Sequence, residues 1–179
     1  MLEHYNAWKV LRVFFDNPNP SGAGFQLREI SRKIHLAPVS VKRYLKDFIK
    51  DGLILKSRHR IHKYPVYWAN RVSENFRNLK KINTILLIRD SGLLTYINDA
   101  CMPDVVILFG SAARGEDLLE SDLDLYVQCK EKQLNLNKYK TKLNRRINLF
   151  FSESFDKMSG ELKNNILNGT ILGGYLKVF

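Results

Sequence analysis

Two aspartates, Asp122 and Asp124, stand one residue apart in Ser121-Asp122-Leu123-Asp124-Leu125-Tyr126-Val127. The segment alternates polar and apolar residues and reads as a strand, so side chains at i and i+2 share a face. Two carboxylates on one face repel each other unless a cation lies between them. A hard divalent ion, Mg²⁺ or Mn²⁺, takes oxygen ligands of this kind. Upstream, the apolar run Val105-Val106-Ile107-Leu108-Phe109 leads directly into Gly110-Ser111-Ala112-Ala113-Arg114-Gly115. A turn of small residues after a buried strand lets phosphate oxygens approach the backbone. Gly110 and Ser111 are the candidate phosphate contacts, with Arg114 as a further one. Carboxylates for a metal and a loop for phosphates point together to chemistry on a nucleoside triphosphate.

Other phosphate-binding patterns fit less well. A Walker-type loop needs Lys followed by Ser or Thr after its second glycine. Here Gly115 is followed by Glu116-Asp117, which would repel a phosphate. The dinucleotide fingerprint Gly-x-Gly-x-x-Gly is absent as well. Gly110-Ser111, the downstream Gly115 and Asp122-x-Asp124 together resemble the signature of the polymerase-beta-like nucleotidyltransferases, and more narrowly the minimal nucleotidyltransferases. The resemblance covers roughly Pro103 to Phe179. It implies a short mixed β-sheet with helices on one side, a nucleoside triphosphate substrate and Mg²⁺ or Mn²⁺ on Asp122 and Asp124. It also implies a third carboxylate from the neighbouring strand, where this chain reads Arg145-Arg146-Ile147-Asn148-Leu149-Phe150-Phe151. The matching position is Asn148, which offers a neutral oxygen but neither charge nor base. Glu120, Glu153 and Asp156 are the nearby acids that could substitute. Minimal nucleotidyltransferases are often partnered with a helical toxin protein, so such a partner is implied too.

Charge separates this region from the rest of the chain. The 179 residues carry a net charge of +11. Residues 1–73 hold 14 Lys and Arg against 5 Asp and Glu, whereas residues 74–179 hold 15 against 13. An excess of +9 in the first part points to a polyanionic partner. Hydrophobic content of 45% fits a packed globular core. Cys101 and Cys129 are the only cysteines. They form no metal spacing and read as reduced core thiols of a cytoplasmic protein. His4, His35, His59 and His62 are scattered, and a His59/His62 zinc pair lacks companions. No apolar run approaches the about 18 residues of a membrane span, and no signal peptide is expected.

The elements of the basic part are legible. Tyr5, Trp8, Leu11 and Phe15 recur at helical spacing and predict a helix over 4–16. The run Asn17-Pro18-Asn19-Pro20-Ser21-Gly22-Ala23-Gly24 ends it. Leu27, Ile30 and Ile34 mark a second helix. After a break at His35-Leu36-Ala37, Pro38 opens a third, with Val41, Leu45, Phe48, Ile49 and Leu53 as its apolar stripe. The opposite face carries Ser40, Lys42, Arg43, Lys46 and Lys50. A hairpin follows, with Arg58, Arg60 and Lys63 around its tip. Residues 4–69 resemble a winged helix-turn-helix DNA-binding domain. That resemblance implies double-stranded DNA as partner: Ser40, Lys42 and Arg43 for bases or phosphates, Lys46, Lys50, Arg58, Arg60 and Lys63 for phosphates.

The expected organisation is α+β. A winged helix-turn-helix domain (1–72) leads through a helical connector (73–101) to a nucleotidyltransferase-fold domain (102–179). In the connector, Phe76, Leu79, Ile82 and Leu86 form an apolar face, which suggests a homodimer. The last domain reads as strands at 104–109, 122–128, 146–151 and 170–178, with helices at 111–116, 133–145 and 153–168. Two functions stay open. One is an enzyme that transfers a nucleotidyl group to an acceptor hydroxyl. The other is a transcriptional regulator whose degenerate transferase domain binds nucleotide or dimerises without catalysis. The retained Gly110-Ser111 and Asp122-x-Asp124 favour the first, and Asn148 favours the second.

Overall fold

The structure, a computed structural model, describes residues 5–18, 24–118 and 120–178. His4, residues 19–23 and Phe179 lie outside the described residues. The chain divides into two units, Met1–Lys80 and Lys81–Phe179. The division falls inside a long helix.

The first unit packs three helices, α1 (Asn6–Asp16), α2 (Leu27–Ile34) and α3 (Pro38–Lys50), beside an antiparallel hairpin of β1 (Ile54–Arg58) and β2 (Pro65–Ala69). Helix α2 starts on a reciprocal cap between Gln26 and Glu29. It ends at His35, whose φ of 53° lies in the left-handed region. Pro38 opens α3, where its missing N–H costs nothing. Phe25 adds a rung beyond the hairpin, exchanging backbone hydrogen bonds of 2.9 Å with Tyr67 in both directions. The core gathers Val10, Phe14, Phe25, Ile30, Val41, Leu45 and Ile54. The buried face of α1 differs from the expected stripe. Val10, Leu11, Val13, Phe14 and Phe15 are buried, while Tyr5 is 63% exposed. Five apolar residues among six leave the period free to rotate, and tertiary packing selects the face.

Helix α4 (Glu74–Ser91) begins where the Ser73 hydroxyl accepts from the Phe76 N–H at 3.4 Å. Its apolar stripe is only partly buried. Phe76 and Ile88 are inside, Ile82 is exposed, and Lys80, Asn83 and Thr84 are buried instead. Gly92, at φ 82°, turns the chain into α5 (Leu93–Cys101).

The second unit is built on a four-stranded sheet of β3 (Val105–Phe109), β4 (Leu123–Val127), β5 (Ile147–Phe151) and β6 (Thr170–Gly174) in the order β5-β4-β3-β6. The β3–β4 and β3–β6 pairs are antiparallel and β4–β5 is parallel, so the sheet is mixed. Short helices α6 (Gly110–Arg114), α7 (Asn137–Leu143) and α8 (Gly160–Leu167) fill the connections, with a 3-10 turn at Phe155–Lys157. One sheet face, with Val106, Leu108, Leu123, Leu125 and Val127, packs on Leu93, Leu94 and Ile97 of α5 and on Ala112 and Ala113 of α6. The other face, with Val105, Ile107, Phe109 and Tyr126, packs on Phe155 and on Ile166 of α8. Helical structure therefore covers both sides of the sheet rather than one. Every residue of β3 is buried as a result, which is why its sequence is a continuous apolar run. Helix α7 is shorter than the expected 133–145, since residues 131–136 are irregular. Its Lys142 Nζ donates to the carbonyls of Asp90 (2.9 Å) and Ser91 (3.1 Å), binding the last turn of α4. Among the described residues, no helix is long and apolar enough to cross a membrane.

Candidate functional site

The candidate site lies at one end of the two central strands. Strand β3 ends at Phe109, which pairs with Asp124 across the antiparallel ladder. Gly110 follows at φ 73°, a backbone region that favours glycine. A Cβ added to Gly110 would stand 2.7 Å from Asp124 Oδ2. The missing side chain is therefore what lets the loop close on this carboxylate. On the other side of β4, the parallel register sets Asp124 opposite Asn148.

Asn148 Nδ2 donates to Asp122 Oδ2 at 3.1 Å and to Asp124 Oδ1 at 3.0 Å. A single neutral nitrogen thus sits between two carboxylates that both face it. Arg146 completes the set: its Nε donates to Asp122 Oδ1 at 2.8 Å, with the Arg146 side chain 77% exposed and that of Asp122 27% exposed. The acids are held by an amide and a solvated guanidinium, not by a buried basic side chain.

A second network shapes the approach to Asp122. Arg145 donates through Nη1 to Asp117 Oδ2 at 2.8 Å and through Nε to the Ser121 carbonyl at 2.7 Å. The Asp117 side chain is 1% exposed, so this ion pair is buried on the acid's side. The Ser121 hydroxyl accepts from the Leu118 N–H at 2.9 Å. Together these contacts brace the segment between α6 and β4 and fix where Asp122 enters the sheet. Glu116 and Asp117, which argued against a Walker loop, thus have structural partners: Glu116 takes Arg114 Nε at 2.8 Å and Asp117 takes Arg145.

The residues fit one divalent cation. Two carboxylates and the amide of Asn148 converge, and turning that amide over would present its oxygen to an ion beside both acids. They do not supply the charge of a third acid. Among the described residues no group of three or more His, Cys, Asp or Glu is placed to hold a metal. Of the acids that could have substituted, Glu120 lines a cleft next to Arg146. Glu153 and Asp156 follow the far end of β5 from Asn148. Ser111 is half-buried in the first turn of α6, beside Gly110, and Arg114 is turned to Glu116.

In the first unit, Lys42, Arg43, Lys46 and Lys50 are exposed on α3, and Ser40 is half-buried in its first turn. Arg58 ends β1, while Arg60 and Lys63 lie in the turn, all exposed. Lys42, Arg43 and Lys46 share a cleft of about 550 Å³ with Lys56 of β1, a cation that the sequence reading did not single out. The tip is ordered by stacking. His59 lies 4.7 Å from Tyr64 and 5.2 Å from His62, centroid to centroid. Its Nδ1 accepts from the Ile61 and His62 N–H groups at 3.3 and 3.2 Å. The histidines that suggested a lone zinc pair instead shape the turn.

The small mixed sheet fits a nucleotidyltransferase-fold domain. Residues 93–173 match the family model described as Polymerase beta, Nucleotidyltransferase, and the match supports a nucleotidyltransferase-type function with a nucleoside triphosphate substrate. No curated protein and no solved structure gives a significant match to the chain.

Proposed function

We propose that the protein is a DNA-binding nucleotidyltransferase, transferring a nucleotidyl group from a nucleoside triphosphate to an acceptor hydroxyl. The observation that carries this reading is the convergence of Asp122 and Asp124 on one amide nitrogen beside a glycine whose missing Cβ makes room for Asp124. Asp122 and Asp124 would hold one Mg²⁺ or Mn²⁺, with Asn148 as a neutral third ligand. When bound, the ion neutralises phosphate charge and orients the α-phosphorus. Gly110 and Ser111 receive phosphate oxygens, by analogy with the family. The hydroxyl oxygen of the acceptor bonds to the α-phosphorus. The bond to the bridging oxygen breaks, pyrophosphate leaves with the electron pair, and the hydroxyl proton passes to water. Residues 1–72 act as a winged helix-turn-helix domain, with 73–101 as connector. Ser40, Lys42, Arg43, Lys46, Lys50, Arg58, Arg60 and Lys63 face double-stranded DNA, and the charge excess of residues 1–73 supports this. A helical protein partner and a second copy of this chain are further candidate associates.

The test is direct. Incubated with Mg²⁺ and an α-labelled nucleoside triphosphate, the protein releases pyrophosphate, and Asp124→Asn does not. The second reading, a nucleotide-responsive regulator without turnover, is favoured by Asn148 standing opposite Asp124, where the family implies an acid. Magnesium-dependent nucleotide binding without pyrophosphate release, combined with gain of release in Asn148→Asp, would establish it.

A further inference from the structure

The cations of α3 border more than a flat surface. The cleft of about 550 Å³ that they share with Lys56 has apolar walls. Leu45 is buried, Ile49 is half-buried, and Val39 is exposed on the same side of the helix as Lys42 and Lys46. A phosphodiester backbone is satisfied by exposed cations alone and gains nothing from apolar side chains. The walls therefore suit a different kind of anion, one with an apolar body.

Two polar groups of the hairpin lie together in this cleft. The β1–β2 register sets Lys56 opposite Tyr67, so their side chains leave the same face, and both line the cleft. Tyr67 is only 6% exposed, yet its hydroxyl makes no hydrogen bond among the described residues. Burial pushes the pKa of this phenol up, so the hydroxyl keeps its proton and stays a donor. Lys42, Lys46 and Lys56 are exposed and make no ion pair among the described residues. Arg43 differs, since it donates to the Tyr44 hydroxyl at 3.3 Å and lies over that ring. A buried donor without an acceptor, next to ammoniums without counter-charge, matches a carboxylate. Apolar walls of this extent match the body of a small ligand.

We propose that the cleft binds a small organic acid, an aryl or branched aliphatic carboxylate. Its carboxylate lies on Lys56 and the Tyr67 hydroxyl, and its apolar body lies against Val39, Leu45 and Ile49. Lys42 and Lys46 border the same cleft and are among the residues assigned above to DNA, so the bound acid and a duplex exclude each other. The exclusion rests on the DNA-binding reading, but occupation of the cleft does not.

Two measurements on the full chain test this. In the first, the ¹⁵N-labelled protein is titrated with 2-naphthoate. Saturable amide shifts are expected at Val39, Lys46, Lys56 and Tyr67. The neutral 2-naphthalenemethanol, with the same rings and no charge, binds about tenfold more weakly, and Tyr67→Phe and Lys56→Gln each raise the naphthoate Kd about tenfold, the effect of one charge-assisted contact. Tyr67→Phe keeps the ring and Lys56→Gln changes an exposed side chain, and amides remote from the cleft report that each variant is folded. Absence of saturable shifts, equal binding of the alcohol, or an unchanged Kd in either variant overturns the proposal. In the second, binding of a random duplex is followed by fluorescence anisotropy with and without 2-naphthoate. At ten times the naphthoate Kd, the duplex Kd is expected to rise about tenfold, as mutual exclusion requires. A duplex Kd that does not change overturns the exclusion. No duplex binding at low salt, with the naphthoate shifts retained, refutes the DNA-binding reading and supports the cleft as an acid site.

Discussion

At the scale of single residues, the site turns on Asn148. Its amide nitrogen satisfies Asp122 and Asp124 at once and does so without charge. Asn148→Asp would set three acids around one point, so the metal-free protein is predicted to lose about 1–3 kcal/mol, the cost of leaving part-buried acceptors without their donor. Millimolar Mg²⁺ restores that loss. Thermal melts with and without MgCl₂ check it, and a variant as stable as the parent in EDTA would be inconsistent with the arrangement. Tyr126 gives a second residue-level prediction. Its hydroxyl is buried without a hydrogen-bond partner among the described residues, and burial, with Asp104 and Cys129 nearby, pushes its pKa up from 10.0 to about 12. The folded state therefore holds the phenol proton more tightly than the unfolded chain does. Its contribution is fully present below pH 10 and is lost as pH rises through about 12. Tyr126→Phe should be as stable as the parent at pH 7, or more so, and should lose less between pH 10 and 12 in urea melts. An equally steep alkaline decline would disprove the assignment to Tyr126. The pairing of Asp122 with Asp124 and the turn at Gly110 could be read from local spacing, whereas Asn148 was expected only from the family resemblance. The Arg146–Asp122 pair could not be read, because it depends on which strands become neighbours and in what register. The doublet Arg145-Arg146 just ahead of a strand was the available signal.

At the scale of elements, the segment from Gly115 to Asp122 is not a free loop but a braced one. Arg145 ties it through Asp117 and the Ser121 carbonyl. Arg145→Met removes the guanidinium from a buried acid and from the Ser121 carbonyl, so it is predicted to destabilise the protein by a few kcal/mol, about 3. The double variant Asp117→Asn/Arg145→Met should recover part of that loss. A cycle of urea denaturations measures the coupling, and strictly additive losses would show that the two residues act apart. Gly110→Ala tests the adjoining turn, since a methyl there meets Asp124 Oδ2 at 2.7 Å in a left-handed backbone. A loss of about 1–3 kcal/mol is expected from strain alone, read from the same denaturations. Elements with strong local signals were legible: Pro38 opening α3, the uniform apolar run of β3, the glycine ending α4. Where the signal was ambiguous, packing decided. Helix α1 has apolar residues on more than one face, so burial fell on Val10 and Phe14 rather than on Tyr5. The start of α7 was expected too early because Leu134 and Leu136 mimic a helical period, yet both pack as irregular chain.

At the scale of the molecule, the charge asymmetry accords with the two tasks proposed above. The exposed cations of α3 and the hairpin predict salt-sensitive DNA binding, with log affinity falling by about 0.9 per log unit of salt for each phosphate neutralised. Lys46→Glu should reduce that slope by about one, as measured by fluorescence anisotropy on a random duplex at several salt concentrations. A slope unchanged by the substitution would remove α3 from the interface. The mixed sheet was legible as a set of strands, whereas helical cover on both faces was not, because sequence gives burial and not the side from which it comes. All of this depends on whether Asp122 and Asp124 share a divalent ion. Titration of the protein with Mn²⁺, followed by electron paramagnetic resonance, decides that most directly. One ion per chain is expected, lost in both Asp122→Asn and Asp124→Asn; a chain that takes up no Mn²⁺, or variants that take it up as well as the parent, would contradict the account.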